Sequence, residues 1–547
     1  MAAATVLTMS SCIDETFPQS STATADQVAG MSSALEGTLN GIPSQMVQGY
    51  LVYGEQVHET DMGYPLFMMA QTELLGDIYP GGSNSGYDWF RNYNTLNASF
   101  GDNSYFSYLP WYTLYKFVKQ ANSVLQIIDE DSEMTDDQKC AAGVAYAARA
   151  FDYYMLMVFF EPVENKYTDC SSVLGLTVPI VTENTTEEEA KNNPRVTHDK
   201  LVKFILSDLD KAESYLSEVE PDNPHLPNLA VTYGIRAKVL MWDKQYAEAA
   251  TYARKAIDES GAVPMTADEW ENPSSGFAVA TSAWMWYLTY APEEMGNLCN
   301  YAGWASAEAD WGYSSLTCPM IDASLYNKIA PTDIRKRVFL NPNKYDYYNY
   351  QTSRDRTFIE EAPDYLALKF RCRSGNWADY SVGGATDIPI MRVEEMYLLE
   401  AEAVGASQGV AAGLDLLNAF MVKYRQSNYN YTTTDLREFQ LEVLTQERIE
   451  FWGEGNAFPN AKRLRPGVMQ NYSGTNAPAN IFKINCQDIK PNWNFVIPRS
   501  EYQNNKALEG KNNPDPTQAV VGPTTPGEYA KSKAEIAAEQ AANEGNE

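Results

Sequence analysis

The sequence predicts an all-α fold, in which helix pairs form a scaffold and a large irregular, loop-rich insertion carries a ligand-binding surface. Leu201, Ile205 and Leu209 recur four residues apart, as apolar residues do on one helix face, and similar spacing extends through much of the chain. Residues 76–100 and 261–388 lack this period and are rich in Gly, Pro, Tyr and Trp, which indicates loops. The 547 residues, 44% of them hydrophobic, are ample for a large buried core.

The clearest helix pair is predicted for residues 227–260. Apolar and small residues follow helical spacing on both sides of a short turn near Asp243-Lys244, and Ala249 and Ala253 allow two helices to approach closely. The string QYAEAATYARKAI resembles the second helix of a tetratricopeptide repeat. One such pair cannot bury its own apolar face, so we expect further helix pairs beside it.

Several more segments carry the same spacing, and together they predict four helix pairs in an interrupted, solenoid-like scaffold. Thr135 and Thr434 are expected to begin two of the helices, because a hydroxyl followed by Asp suits the first turn and its dipole. The predicted helices cover residues 108–129, 135–160, 201–216, 389–405, 408–425 and 434–454.

The charge and the cysteine and histidine content exclude several classes of function. A formal net charge of -31 repels phosphate backbones, so we expect no nucleic-acid partner. No run of eighteen apolar residues is present, which argues against a membrane-spanning helix. His58, His198 and His225 are scattered and no C-x-x-C occurs, so neither a metal site nor a cofactor is predicted. Apart from Cys12, six cysteines remain, enough for three disulfides or for buried free thiols.

The N-terminus resembles the end of a bacterial lipoprotein signal. Residues 1–11 are apolar and then small, with two serines directly before Cys12, which predicts a signal-peptide remnant and a lipidated cysteine. Asp14-Glu15 resembles the surface-export signal of Bacteroidetes lipoproteins, and residues 12–25 are typical of a flexible, lipid-anchored tether. A second interpretation is an ordinary cysteine near a chain end.

Seven strings resemble, in order, the motifs of SusD/RagB-type proteins. They are WYTLYKFVKQANSVLQII (111–128), AARAFDYYMLMVFFEPV (147–163), GLTVPIVTE (175–183), PRVTHDKLVKFILSDLDKAESYL (194–216), PIMRVEEMYLLEAEA (389–403), LTQERIEFWGEGNAFPNAKRL (444–464) and NWNFVIPRSEYQNNKAL (492–508). By these strings the chain is identified as a member of that family over nearly all of residues 12–510. Glu161 stands where Gly is usual, Ala457 where Arg is common and Pro459-Asn460 where Phe-Asp is common, which we interpret as local packing.

The resemblance implies a single SusD-like domain at residues 26–520, with irregular insertions near 76–100 and 261–388, and an acidic tail at 521–547. It also implies a lipid-anchored protein of the outer membrane that faces the cell exterior. Such a protein binds oligosaccharides and acts as the lid of a SusC-type TonB-dependent transporter. It has no catalytic residues.

The first candidate ligand-binding patch lies in the 76–92 loop. Asp77, Tyr79, Trp89 and Asn92 combine aromatic rings with polar groups, and flat rings suit the C–H faces of sugars while polar groups pair with hydroxyls. The resemblance implies ligand contacts for Asp77, Trp89 and Asn92. A competing interpretation is that Trp89 only caps the first helix pair.

The second candidate patch lies between residues 284 and 313. Trp304, Trp311 and Tyr313 occur among Gly, Ala, Ser and Asp with no apolar period, which indicates an exposed loop and a ligand-facing surface. Trp284 and Trp286 have the spacing of a strand or helix edge and are expected in the core.

Three competing functions stay open from the sequence. A glycoside hydrolase would need two carboxylates roughly 5–10 Å apart, which 72 Asp and Glu residues neither support nor exclude. No G-x-S-x-G, P-loop or H-E-x-x-H motif is present, which favours binding over catalysis. The second function is that of a RagB-like peptide importer, and the third is that of a pure protein scaffold. The Trp/Tyr-rich loops favour sugar over peptide.

Overall fold

Helices dominate the computed structural model, which describes residues 32–48, 61–82, 87–96, 100–292, 300–342, 350–519, 521 and 525–544. The helices of seven residues or more are α1 (Ser32–Met46), α2 (Pro65–Leu75), α3 (Tyr105–Leu125), α4 (Asp136–Phe160), α5 (His198–Leu216), α6 (Leu229–Trp242), α7 (Tyr246–Ser260), α8 (Val393–Gln408), α9 (Val410–Tyr424), α10 (Leu436–Glu450), α11 (Phe458–Leu464) and α12 (Lys533–Glu544). The predictions for the signal remnant at 1–11, Cys12 and the tether at 12–25 lie outside the described residues. Within the described residues, no helix is long and apolar enough to cross a membrane.

The predicted helices are confirmed to within a few residues. Thr135 caps α4 by accepting from the Gln138 backbone N–H, and the Gln138 side chain accepts from the Thr135 N–H in return. Helix α10 is capped one residue later than Thr434, by Asp435, whose side chain accepts from the Glu438 backbone N–H. One start is wrong, because the helix predicted from residue 389 begins at Val393, after a strand.

The helices pack as a continuous series. Helix α4 lies against α3 and α5, α6 lies against α5 and α7, and α8 joins α7 to α9. Every residue from Ala141 to Phe160 is buried, so α4 forms the centre of the scaffold. The interrupted solenoid of helix pairs that the sequence predicts is therefore confirmed as an all-α scaffold.

Three antiparallel two-stranded sheets organise the irregular part of the described chain. They are β1 (Ile78–Pro80) with β3 (Pro319–Ile321), β2 (Trp284–Thr289) with β4 (Asp387–Arg392), and β5 (Val468–Met469) with β6 (Asn485–Cys486). In the first sheet Ile78 is opposite Ile321 and Pro80 is opposite Pro319. Because the pairing is antiparallel, the residues that follow β1 lie beside those that precede β3, which brings the two predicted patches together.

Strand β2 is part of the core, as the spacing of its tryptophans indicates. Trp284 and Trp286 are buried, and the Trp286 indole N–H donates to the carbonyl of His225 at 2.8 Å. Tyr290, directly after the strand, is also buried and its hydroxyl donates to the carbonyl of Met62 at 3.0 Å. These rings are structural and inaccessible to a ligand.

A buried network of charges joins the family motifs at 389–403 and 444–464 to the core. Its members are Asp333, Arg335, Lys369, Arg392, Glu394, Arg425, Glu450 and Glu454. Four cations meet four anions, so the network is close to neutral, as buried charges must be. Arg392 Nε donates to Glu454 at 2.8 Å, and Arg425 Nε donates to Glu450 at 2.8 Å. The motif residues at 389–403 and 444–464 thus hold the fold together.

The C-terminal segment returns to the fold before α12. The Gly527 N–H donates to the carbonyl of Asn471 at 2.8 Å, and the Ala530 N–H donates to that of Asn485 at 2.9 Å. The acidic tail expected at 521–547 is therefore anchored at residues 527–530. The five cysteines of the described chain are free thiols, which supports the thiol interpretation for them.

Candidate functional site

The two predicted patches lie side by side because the loops that carry them are hydrogen-bonded. The backbone N–H groups of Gly81 and Gly82 both donate to the carbonyl of Thr317, at 2.7 and 3.0 Å. A side chain at Gly82 would collide with the carbonyl oxygen of Leu316, so this approach requires glycine. The loop after β1 is thereby fixed against the loop before β3.

Trp304 lies under this junction, not on its surface. It is 2% exposed, and Phe90 meets it edge to face with ring centroids 4.9 Å apart. Tyr313 stacks on Trp304 with centroids 4.5 Å apart and an angle of 13° between the planes. The prediction that Trp304 faces a ligand is therefore wrong. Its indole supports the half-buried Tyr313 from below.

Asp77 and Tyr79 are also internal, and the prediction that they face a ligand is wrong. Asp77 is 1% exposed and pairs through both carboxylate oxygens with Arg448, whose Nε lies 2.9 Å from Oδ2. Tyr79 is fully buried, accepts from Gln470 Nε2 at 3.3 Å and meets Phe482 edge to face. Both residues are structural because distant parts of the chain cover them.

Trp89, Asn92, Trp311 and Tyr313 are half-buried, so each keeps some surface for contact with a ligand. Asn92 Nδ2 donates to the carbonyl of Trp89 at 2.9 Å, which fixes the short turn that carries the indole. Trp89 also packs against the main core, as expected of a residue that caps the first helix pair. Ligand binding by these four residues stays a prediction.

Sequence reasoning missed two aromatic residues of the adjoining 373–383 loop, Trp377 and Tyr380. The Asp310 N–H donates to the carbonyl of Trp377 at 3.0 Å, and Trp311 meets Tyr380 edge to face with centroids 6.4 Å apart. Tyr380 is 41% exposed. The signal in the sequence was the string RSGNWADYSVGG, which has the same aromatic, small and acidic composition as the 304–313 loop.

These rings lie on three loops that are connected by backbone hydrogen bonds and ring contacts. We define the aromatic surface as the six side chains Tyr87, Trp89, Trp311, Tyr313, Trp377 and Tyr380, all at least partly exposed. The guanidinium of Arg354 lies 4.4 Å from the centre of the Trp377 ring and holds it by a cation–π contact. Rigid rings with polar neighbours suit a ligand that has both apolar faces and hydroxyl edges.

A pair of buried carboxyl groups lies beneath the turn that carries Trp89. Burial raises the pKa of Asp88 to about 7, although the backbone N–H groups of Arg91 and Phe90 oppose the shift. Burial and then the charge of Asp88 raise the pKa of Glu73 well above its ordinary range. Asp88 Oδ1 accepts from the Arg91 N–H at 3.2 Å, so the turn depends on this side chain. Near neutral pH the pair therefore retains at least one proton.

The described residues contain no candidate metal site. No three His, Cys, Asp or Glu side chains there are arranged to hold an ion. The acidic run at 187–189 forms a short exposed helix, with Thr186 as its N-cap.

Two family models match the chain. The model described as "Starch-binding associating with outer membrane" matches residues 69–241, and the model of the SusD family matches residues 301–521. A comparison with curated proteins found no match.

Several solved structures share the fold. A SusD-like carbohydrate binding protein from Bacteroides vulgatus has 20% identity and a TM-score of 0.69, with 88% of this chain and 98% of that chain covered. A SusD superfamily protein from Bacteroides thetaiotaomicron has 18% identity and a TM-score of 0.65, with 88% and 100% covered. Surface glycan-binding protein A from Bacteroides uniformis has 18% identity and a TM-score of 0.61, with 87% and 99% covered. At these identities the similarity establishes the fold.

Proposed function

The chain belongs to the SusD family, and from this premise we propose that it binds oligosaccharides at the aromatic surface without cleaving them. The observation that carries the proposal is that three connected loops each carry partly exposed aromatic rings. One aromatic ring stacks on one sugar face, so several rings on one surface suit a chain of sugars.

Polar groups beside the rings supply the second part of sugar recognition. Asn92 lies one turn from Trp89, and Arg354 lies against Trp377. Sugar hydroxyls that become buried against the protein need hydrogen-bond partners, which gives such a surface selectivity. Two of the three similar structures are named as a carbohydrate binding protein and a glycan-binding protein, which supports binding over catalysis.

We further propose that the protein delivers its ligand to a SusC-type TonB-dependent transporter and acts as the lid of that transporter. The proposal rests on the family and on the description of the first family model, which associates it with the outer membrane. Attachment would be through a lipid on Cys12, with the protein on the extracellular side. The SusC-type transporter and the oligosaccharide are the two partners that this role requires.

A glycan array tests the binding proposal. The whole chain is expressed without export, so that Cys12 stays unmodified, and is screened against plant, starch-type and host glycans and against peptides. We expect retention of at least one oligosaccharide and no release of reducing ends. Binding of peptides alone would instead support a RagB-like peptide importer, and new reducing ends would show an enzyme.

A further inference from the structure

A cleft of about 240 Å³ lies at the end of α2, away from the aromatic surface, and shares none of its residues. Its walls come from the short helix that follows β3 (Ala323–Lys328) and its N-cap Asp322, from helix α10, from the loop after α11 and from Tyr529 of the C-terminal segment. That volume suits a ligand of monomer size.

Two cations line the cleft. Arg448 uses Nε and Nη2 to bind Asp77, which leaves its Nη1 without a hydrogen bond to the described part of the chain. Lys328 makes no ion pair or hydrogen bond within the same part of the chain. Desolvation by the cleft walls and then the charge of Arg448 lower the pKa of Lys328, and the nearby carboxylates of Glu442, Asp77 and Asp322 oppose this shift. An anionic group between the Lys328 ammonium and the free Nη1 of Arg448 would gain a charge-assisted hydrogen bond from each.

Polar acceptors lie on another wall of the cleft. Asp322 is buried, accepts from the Tyr472 hydroxyl at 2.8 Å and from the Leu325 N–H at 3.0 Å, and borders the cavity. The Thr445 hydroxyl donates to the carbonyl of Leu441 at 2.9 Å, so its oxygen can still accept. These groups suit a ligand that carries hydroxyl donors as well as a negative charge.

An aromatic ring borders the cleft at Tyr529, which is 43% exposed. Its backbone is held on both sides, because the Gly527 N–H donates to the carbonyl of Asn471 and the Ala530 N–H to that of Asn485. The ring is therefore a positioned surface on which the C–H face of a sugar can stack.

We propose that this cleft binds an acidic monosaccharide of the hexuronate class. The carboxylate lies between Lys328 and Arg448, the hydroxyl groups face Asp322 and Thr445, and the ring packs against Tyr529. The site is separate from the aromatic surface, so the inference does not depend on oligosaccharide binding there.

Calorimetric titration of the whole chain tests this site, with sodium D-glucuronate, D-glucose and inorganic phosphate as probes. We expect glucuronate to bind, and glucose and phosphate to bind at least tenfold more weakly, since each lacks either the charge or the ring. Lys328→Ala is expected to weaken glucuronate binding by about tenfold or more, the effect of losing one charge-assisted hydrogen bond. Tyr529→Ala is expected to weaken it as well.

Lys200→Ala is the matched control, because Lys200 is exposed on α5 and lines no part of the cleft. It should leave glucuronate affinity unchanged, and thermal melting should show all three variants folded. Lys328 and Tyr529 both keep exposed side-chain surface, so their replacement tests binding and not folding. Equal affinity for glucose or phosphate, absence of glucuronate binding, or unchanged affinity in Lys328→Ala would each overturn the proposal.

Discussion

Tyr313 lies flat on Trp304, with ring centroids 4.5 Å apart and planes within 13° of parallel. One ring of this pair is half-buried at the surface and the other is inside the protein. The two rings therefore have different roles, one structural and one at the surface, and the sequence alone could not distinguish them. Trp304 and its edge contact with Phe90 support the surface, and Tyr313 forms part of it.

Trp304→Ala is expected to lower the free energy of unfolding by about 3–5 kcal/mol, because a buried indole is replaced by a cavity under Tyr313. Chemical denaturation measures this change directly. Tyr313→Ala removes the partly exposed partner and should cost less than half as much. Equal stability of the wild type and Trp304→Ala would contradict the burial of Trp304.

Trp311→Ala and Tyr380→Ala are each expected to weaken oligosaccharide affinity by roughly 1–3 kcal/mol with little loss of stability. The two rings touch each other at the aromatic surface, so the double variant should lose less than the sum of the single effects. Tyr252→Ala is the control, because Tyr252 is a half-buried tyrosine of the helical scaffold. Affinities come from titration with a glycan that the array identifies, and equal losses for the control would refute the assignment of the surface.

The scaffold was predictable from sequence wherever a helix has one buried and one exposed face. Helix α5 shows this pattern and was found, whereas α2 is buried along its whole length and shows no periodic stripe. Helix α1 contains glycines, serines and Pro43, which weaken any helical signal. The sequence thus identified most of the longer helices, including the largely buried α4 and α6, and missed α1 and the shorter α2.

The candidate site was less predictable because long-range contacts decide which side chains are exposed. Asp77 is covered by Arg448 and Tyr79 by Gln470, at separations of 371 and 391 residues. No local pattern reports such contacts. Trp377 was missed for the same reason, since the contacts of its loop with Asp310 and Trp311 join residues that are far apart in the sequence.

Asp88→Asn is expected to change the pH dependence of stability. The folded-state pKa of Asp88 is about 7, above its ordinary value of 3.8, so the folded protein binds the extra proton. The stabilisation that comes from this proton is fully present below pH 4 and is lost as the pH rises through 7. The free energy of unfolding should fall by an amount on the order of 4 kcal/mol. Asparagine retains the acceptor for the Arg91 N–H but cannot ionise.

Denaturant unfolding between pH 4 and 8 measures this effect. The wild type should lose stability over the window, and Asp88→Asn should lose clearly less. Glu73 is the neighbouring carboxyl group, and its unpaired Oε2 makes Glu73→Gln the companion variant. An identical pH profile in the wild type and Asp88→Asn would show that Asp88 is ionised in the folded protein.

His198 joins three helices, and its replacement should remove a second pH dependence of stability, which lies at more alkaline pH. Its Nδ1 lies 2.9 Å from Glu161 and its Nε2 lies 2.8 Å from Asp243, and the Trp242 indole also donates to Glu161. The glutamate that replaces the usual glycine of the family is therefore an ion-pair partner of this histidine. Hydrogen bonding to Glu161, opposed by burial and aided by Asp243, raises the pKa of His198 to about 9.

Because the folded-state pKa lies above the ordinary 6.5, the stabilisation is fully present below pH 6.5 and is lost as the pH rises through 9. We expect a loss of about 2 kcal/mol, after allowance for solvent screening at this partly exposed site. His198→Gln should be less stable at pH 6 and should show a flatter profile between pH 6.5 and 9. Asp88→Asn serves as the control. Its stability should still fall between pH 6.5 and 9, as in the wild type, but should fall less between pH 4 and 7. A histidine variant that matches the wild type at pH 6 would mean that the two ion pairs contribute nothing to stability.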